Sequence, residues 1–72
     1  MSDETTVLAP GITSTPDVQG GRPVIAGTRI PTGAPYEFHR DGFAPEEIRV
    51  EYPSLTLEQI GLAIAFEATK AT

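Results

Sequence analysis

The side chains most able to do chemistry in this 72-residue sequence are a single histidine, His39, and an adjacent carboxylate pair, Glu46 and Glu47. Nucleophilic catalysis needs a nucleophile beside a base that is itself oriented by a third group. The serines show no such arrangement with His39. Neighbouring residues diverge on a helix, so the glutamates are better explained as carboxylates at the positive end of a helix dipole. We predict that the protein is not an enzyme.

The sequence also offers little to a metal ion or a cofactor. It has no cysteine and one histidine, which rules out disulfides and makes a His-based zinc site implausible. The glycines Gly20, Gly21 and Gly27 lack the lysine and the directly following helix of a phosphate-binding loop. Turns that need positive φ explain them better. We expect no metal and no cofactor.

The charge is acidic but unevenly distributed. Five basic residues face ten acidic ones, for a net charge of −5, which argues against a protein held to nucleic acid by bulk charge. Between Arg22 and Arg49 four arginines balance four acids, so any anion-binding face has to use those arginines. No apolar stretch approaches the ~20 residues that cross a bilayer. The first ten residues lack the basic start of a signal peptide. We expect a cytoplasmic protein without a membrane partner.

The elements that position these residues follow from turn and cap signals. We predict a disordered leader over residues 1–11, then a single domain over residues 12–72. Two short strands flank the turn formers of residues 17–21. Three helices follow: one from the cap Thr32 to Gly42, one from Pro45 to near Tyr52, and one from Thr56 towards Lys70. The predicted fold class is mainly α, with a short N-terminal β-hairpin before three helices in a helix-turn-helix or winged-helix-like arrangement.

The third helix is apolar around much of its circumference. Ile60 and Ile64 form one stripe, while Leu62 and Phe66, four residues apart, point away from part of it. We predict that Leu62 and Phe66 form a dimer interface, because a chain this small buries little core on its own. The alternative is that two adjacent grooves of the same small core take both faces.

The second and third predicted helices also have the spacing of a helix-turn-helix pair. The exposed N-terminal residues of its second helix are Thr56, Glu58 and Gln59, and we predict these as the DNA-binding residues. Gln59 can pair with adenine and Glu58 can accept from cytosine. The third helix has no arginine or lysine before Lys70, so its anchoring to phosphates is poor.

Several segments resemble a known family. They are residues 15–31 (TPDVQGGRPVIAGTRIP), Asp41-Gly42, residues 45–48 (PEEI) and residues 51–60 (EYPSLTLEQI). Together they look like the domain-of-unknown-function family numbered 433. The resemblance implies a small winged-helix-like or homeodomain-like domain that tends to dimerise. It also implies a VapB-like antitoxin that is paired with a PIN-like ribonuclease toxin.

An antitoxin of this kind can block a carboxylate-lined, Mg²⁺-dependent site with an arginine. We therefore predict Arg22 and Arg29 as partner-binding residues. The alternative is that both pair internally with Asp17 or Glu51 and only fix the hairpin. The predicted function is the antitoxin of a type II toxin–antitoxin pair that neutralises a PIN-like ribonuclease, with autoregulation through operator DNA as a further expectation. The competing function is a dimerising accessory subunit that contacts neither toxin nor DNA.

Overall fold

The protein has a three-stranded antiparallel sheet followed by three helices, in a computed structural model that describes residues 4–70. The strands, in the order β1-β2-β3 across the sheet, are β1 (Thr6–Ala9), β2 (Ile12–Ser14) and β3 (Val24–Ile25). A short 3₁₀ turn, Gln19–Gly21, connects β2 to β3. The helices are α1 (Gly33–Arg40), α2 (Pro45–Glu51) and α3 (Leu57–Lys70). This confirms the predicted fold class.

Strand β1 differs from the expectation of a disordered leader over residues 1–11, of which residues 1–3 lie outside the described part. Val7 pairs with Thr13, Ala9 pairs with Ile12, and the register shifts between them, so one extra residue bulges out of β1. A strand of four residues with a bulge has no regular alternation of apolar and polar positions. The sequence pattern therefore does not predict β1. Gly11 turns the chain with φ +78°, and a Cβ there would lie 2.8 Å from Leu62 Cδ1.

Local signals set the ends of the helices. After α1, Gly42 (φ +96°) donates its N–H to His39 O, and Phe43 donates to Phe38 O, which is the Schellman arrangement. At the start of α2, Ala44 has no side-chain acceptor, but its own N–H donates to Glu47 Oε1 at 2.7 Å. None of the helices within residues 4–70 is long and apolar enough to cross a membrane.

Thr32 does not cap α1 as its position predicts. Its backbone is already helical, and its hydroxyl makes no cap hydrogen bond. Instead, Thr32 Oγ1 donates to Glu67 Oε2 at 2.5 Å, and the threonine is fully buried. A buried hydroxyl needs a partner, and the carboxylate of α3 supplies it. Thr32 therefore ties the start of α1 to the last turns of α3.

The core lies where β3, α2 and α3 meet. Its fully buried apolar members are Ile25, Ile48, Leu55, Ile60 and Ala63. Aromatic rings extend it: Phe38 meets Phe43 and Tyr52 edge-on, with ring centroids 5.3 and 6.1 Å apart. The β2–β3 connection and α1 thus pack on a small core and present their outer sides to solvent.

Candidate functional site

Arg29 lies in a small loop, residues 25–30, whose backbone is held by hydrogen bonds on every side. Ile25 N–H donates to Ile30 O at 3.0 Å, which closes the loop, and Gly27 (φ +80°) allows its tight bend. The Thr28 hydroxyl donates to Ile25 O and accepts from Ile30 N–H. From the neighbouring turn, Gln19 Nε2 donates to the carbonyl of Arg29 itself at 3.1 Å. The backbone of Arg29 is therefore fixed before any partner binds.

The guanidinium groups of the two predicted partner-binding residues, Arg22 and Arg29, are exposed and unengaged. Within residues 4–70, the one ion pair joins Lys70 Nζ to Glu67 Oε2 at 3.7 Å. The internal salt-bridge alternative requires Arg22 and Arg29 to pair with Asp17 or Glu51. Neither arginine makes such a pair within these residues. Both charged groups are thus exposed to solvent.

Arg22 and Arg29 do not share one depression. Arg22 borders an open groove of about 320 Å³ between the Arg22–Pro23 segment, α1 and the end of α3. Its other polar side chains are Thr32, Tyr36, Glu37, Arg40, Glu67 and Lys70. Arg29 lies outside that lining. The two arginines predicted together therefore belong to two neighbouring features of one surface.

The acids and bases at the floor of this groove are already paired. Glu67 Oε2 accepts from the buried Thr32 hydroxyl and lies 3.7 Å from Lys70 Nζ. Lys70 Nζ also sits 5.4 Å above the centre of the Phe66 ring, a cation–π contact. The uncommitted charges on the groove are consequently those of Arg22, Arg40 and Glu37.

The predicted DNA-binding residues lie together at the start of α3, but two of them cap the helix. Thr56 N–H donates to Gln59 Oε1 at 2.8 Å, and Gln59 N–H donates to Thr56 Oγ1 at 3.1 Å, a reciprocal capping box. Glu58 is exposed, while Gln59 is half-buried. Arg49, from α2, braces the preceding turn with Nε donating to Leu55 O at 3.0 Å. Base reading by Gln59 would compete with its role in the cap.

The predicted dimer residues, Leu62 and Phe66, are both half-buried within the chain. Leu62 packs under the Pro10–Gly11 turn, where a Gly11 Cβ would clash with it. Phe66 lies beneath Lys70. Part of the second apolar face of α3 is thus covered by β-sheet residues of the same chain, and the dimer interface stays a prediction.

His39 is exposed in the last turn of α1, with its ring 6.3 Å from that of Tyr36. Across residues 4–70, no three His, Cys, Asp or Glu side chains are grouped so that they could hold a metal ion.

Sequence reasoning missed the other members of the groove, Tyr36, Arg40 and Lys70. Arg40 ends α1 and Lys70 ends α3, and basic residues in last turns are usually explained by the helix dipole alone. The signal that would have grouped them is the packing of α1 on α3, which brings Arg40 and Lys70, 30 positions apart in the sequence, to the same groove.

Comparison with known proteins extends the sequence resemblance. The family model described as "Protein of unknown function (DUF433)" matches residues 12–66, from the first residue of β2 to near the end of α3, and leaves β1 outside. The chain is similar to the uncharacterized protein y4eO of Sinorhizobium fredii, with 40% identity over 52 residues; these cover 72% of this chain but only 24% of that protein. The chain thus spans about a quarter of the length of this curated relative. No solved structure matches it significantly. Because the family model matches most of its length, the chain belongs to the DUF433 family of proteins of unknown function.

Proposed function

We propose that this protein is the antitoxin of a type II toxin–antitoxin pair, which binds and neutralises a PIN-like ribonuclease. The resemblance to the DUF433 family motivates the choice of partner. The observation that carries the proposal is Arg29, an exposed, unpaired guanidinium on a loop fixed by four hydrogen bonds. A side chain on a rigid loop loses less entropy on binding, which suits an interface anchor. Arginine also matches carboxylates with a planar, bidentate fork.

The test is to look for a PIN-like ribonuclease gene beside this one and to assay inhibition of its purified product by the purified protein. Arg29→Ala is expected to weaken inhibition by about 30-fold or more, the ~2 kcal/mol of a hot-spot truncation. Arg29→Lys is expected to recover only part of it, since lysine keeps the charge but loses the fork. Glu46→Gln, which alters an exposed charge on α2, serves as the control and is expected to inhibit like the wild type.

Thermal melting of the same samples separates binding from folding. Arg29→Ala is expected to melt like the wild type, because its guanidinium has no partner within residues 4–70. A sharp fall in melting temperature with unchanged affinity per folded molecule would instead favour a structural role for Arg29. Failure of the wild type to inhibit the neighbouring ribonuclease would favour the accessory-subunit alternative.

Autoregulation through operator DNA is a second part of the proposal. It is supported by the α2–turn–α3 pair and by the exposure of Thr56 and Glu58 at the start of α3. The chain carries a net charge of −5 and few phosphate anchors. Operator binding is therefore expected to be weak for the protein alone and stronger in complex with a more basic partner.

A further inference from the structure

We propose that the groove bordered by Arg22, Tyr36 and Arg40 is a binding site for a carboxylate side chain on an acidic segment of a partner protein. The groove measures about 320 Å³ and is built by three separate parts of the chain: Arg22 and Pro23 after the 3₁₀ turn, α1 with the preceding Thr32, and the end of α3. It is distinct from the Arg29 loop. The proposal deepens the proposed function by naming what a second contact would recognise, and it rests on that function only for the identity of the partner.

The balance of free charge in the groove favours an anion. Glu67 is committed to Thr32 and Lys70, which leaves Arg22, Arg40 and Glu37 as the uncommitted charges of the groove lining; Asp41 lines the adjoining depression beside Glu37 and Arg40. Within the described chain, neither guanidinium has an ion pair or a hydrogen bond. The uncommitted charge is therefore +1, and one acidic group would neutralise it. Tyr36 adds a hydroxyl that can donate to the same anion.

The floor of the groove is built to hold its shape. Thr32, fully buried, is locked to Glu67 by a 2.5 Å hydrogen bond, and Thr32 N–H donates to Pro23 O at 3.1 Å. The 3₁₀ turn that carries Arg22 is tied to β2 by the Ser14 hydroxyl, which donates to Gly21 O at 2.6 Å. The walls that carry the two arginines are thus joined through hydrogen bonds rather than left to move apart.

A protein carboxylate fits this groove better than a nucleic-acid phosphate. A nucleic acid carries a row of negative phosphates. Beyond the groove, a chain with a net charge of −5 repels them. An acidic side chain brings one local charge, which two arginines can grip bidentately. Glu37 at the rim disfavours a second anion nearby, whereas a protein segment can place a neutral or basic residue there.

The experiment is a titration followed by amide NMR at low salt, with N-acetylated tetraglutamate amide as one probe and a uridine 12-mer as the other. We expect the peptide to shift the amide signals of residues bordering the groove, Gly33 and Tyr36 among them, in a saturable manner that weakens with salt. Arg22→Ala/Arg40→Ala is expected to weaken peptide binding at least 10-fold. Val50→Glu, the control, lowers the net charge at a 76% exposed position outside the groove and is expected to bind the peptide like the wild type.

Each other outcome overturns the proposal in a defined way. Tighter binding of the uridine 12-mer through the same residues would make the groove a nucleic-acid site. A comparable loss on Val50→Glu would mean that net charge alone attracts the peptide, and the absence of saturable shifts with either probe would mean that there is no site. Because the probes contain no ribonuclease, these results are independent of whether the protein proves to be an antitoxin. Circular dichroism of the double variant verifies that the fold survives.

Discussion

Thr32 shows how a tertiary contact overrides a local signal. Its place just before α1 is typical of a capping threonine, yet its hydroxyl turns inward to Glu67, 35 positions along the chain. A cap partner lies two or three residues away and is visible in the sequence. A partner on another helix is visible only once the two helices pack. The state of Arg22 and Arg29 was not predictable either, because the sequence left internal pairing with Asp17 or Glu51 open and only the fold shows which acids lie beside them.

We expect Thr32→Val to lower the free energy of unfolding by about 1–3 kcal/mol, the usual cost of leaving a partly buried polar group without its partner. Valine keeps the shape of threonine and removes only the donor to Glu67 Oε2. Thr32→Ser is the matched control: it keeps the hydroxyl and loses one methyl group, so it is expected to stay closer to the wild type. Urea denaturation measures both variants. If the valine variant were the more stable of the two, the hydrogen bond would not be what holds α1 to α3.

The helices were predictable because short-range sequence signals mark their boundaries. Pro45, Gly42 and the Thr56–Gln59 pair each act within one turn of the helix that they start or end. Strand β1 was not predictable in the same way. Its exposed residues gain their structure from pairing with β2 and from the bulge between Val7 and Ala9, neither of which leaves a periodic pattern.

The capping box also changes how DNA binding by α3 has to be tested. Gln59→Ala removes both the proposed adenine contact and the acceptor for Thr56 N–H, so it is expected to cost about 1 kcal/mol of stability even in a protein that binds no DNA. Gln59→Glu keeps a carboxyl oxygen for that N–H and favours the positive end of the helix. It no longer has the amide that pairs with adenine.

We therefore expect Gln59→Glu to melt within a few degrees of the wild type and to lose retardation of the protein's own promoter fragment. Electrophoretic retardation at several salt concentrations, alone and with the partner, measures this. Full retardation by Gln59→Glu would mean that Gln59 only caps α3. No retardation by the wild type at low salt in either state would confine the protein to contacts with other proteins.

As a whole molecule, the chain is held by few large side chains. Within residues 4–70 the buried apolar residues are Ile12, Val24, Ile25, Pro35, Ile48, Leu55, Ile60 and Ala63. At this size a folded chain buries only about 60% of its unfolded surface, which leaves little margin of stability. Several large apolar side chains remain exposed, among them Val7 (71%) and Val50 (76%). The size of the core was foreseeable from chain length, whereas the coverage of Leu62 by the Gly11 turn was not, since β1 itself was not foreseen.

The small core is the physical reason to expect self-association, and we predict at least a dimer at high micromolar concentration through the α3 face that includes Phe66. Leu62→Glu is a poor probe of the dimer interface, because Leu62 also packs under Gly11 and a charged glutamate there would disrupt the fold. Phe66→Glu is the sharper variant, since its ring is only half-buried and lies against the exposed side chain of Lys70.

Sedimentation equilibrium decides this prediction, with circular dichroism verifying that each variant is folded. Phe66→Glu is expected to shift the protein to monomer, because a dimer would have to bury two new carboxylates against an apolar surface. Val50→Glu places the same charge on α2 at a position that is 76% exposed, and it is expected to leave the dimer intact. A well-folded wild-type monomer at high micromolar concentration would exclude a dimer of this kind. Dissociation by Val50→Glu but not by Phe66→Glu would move the interface from α3 to α2.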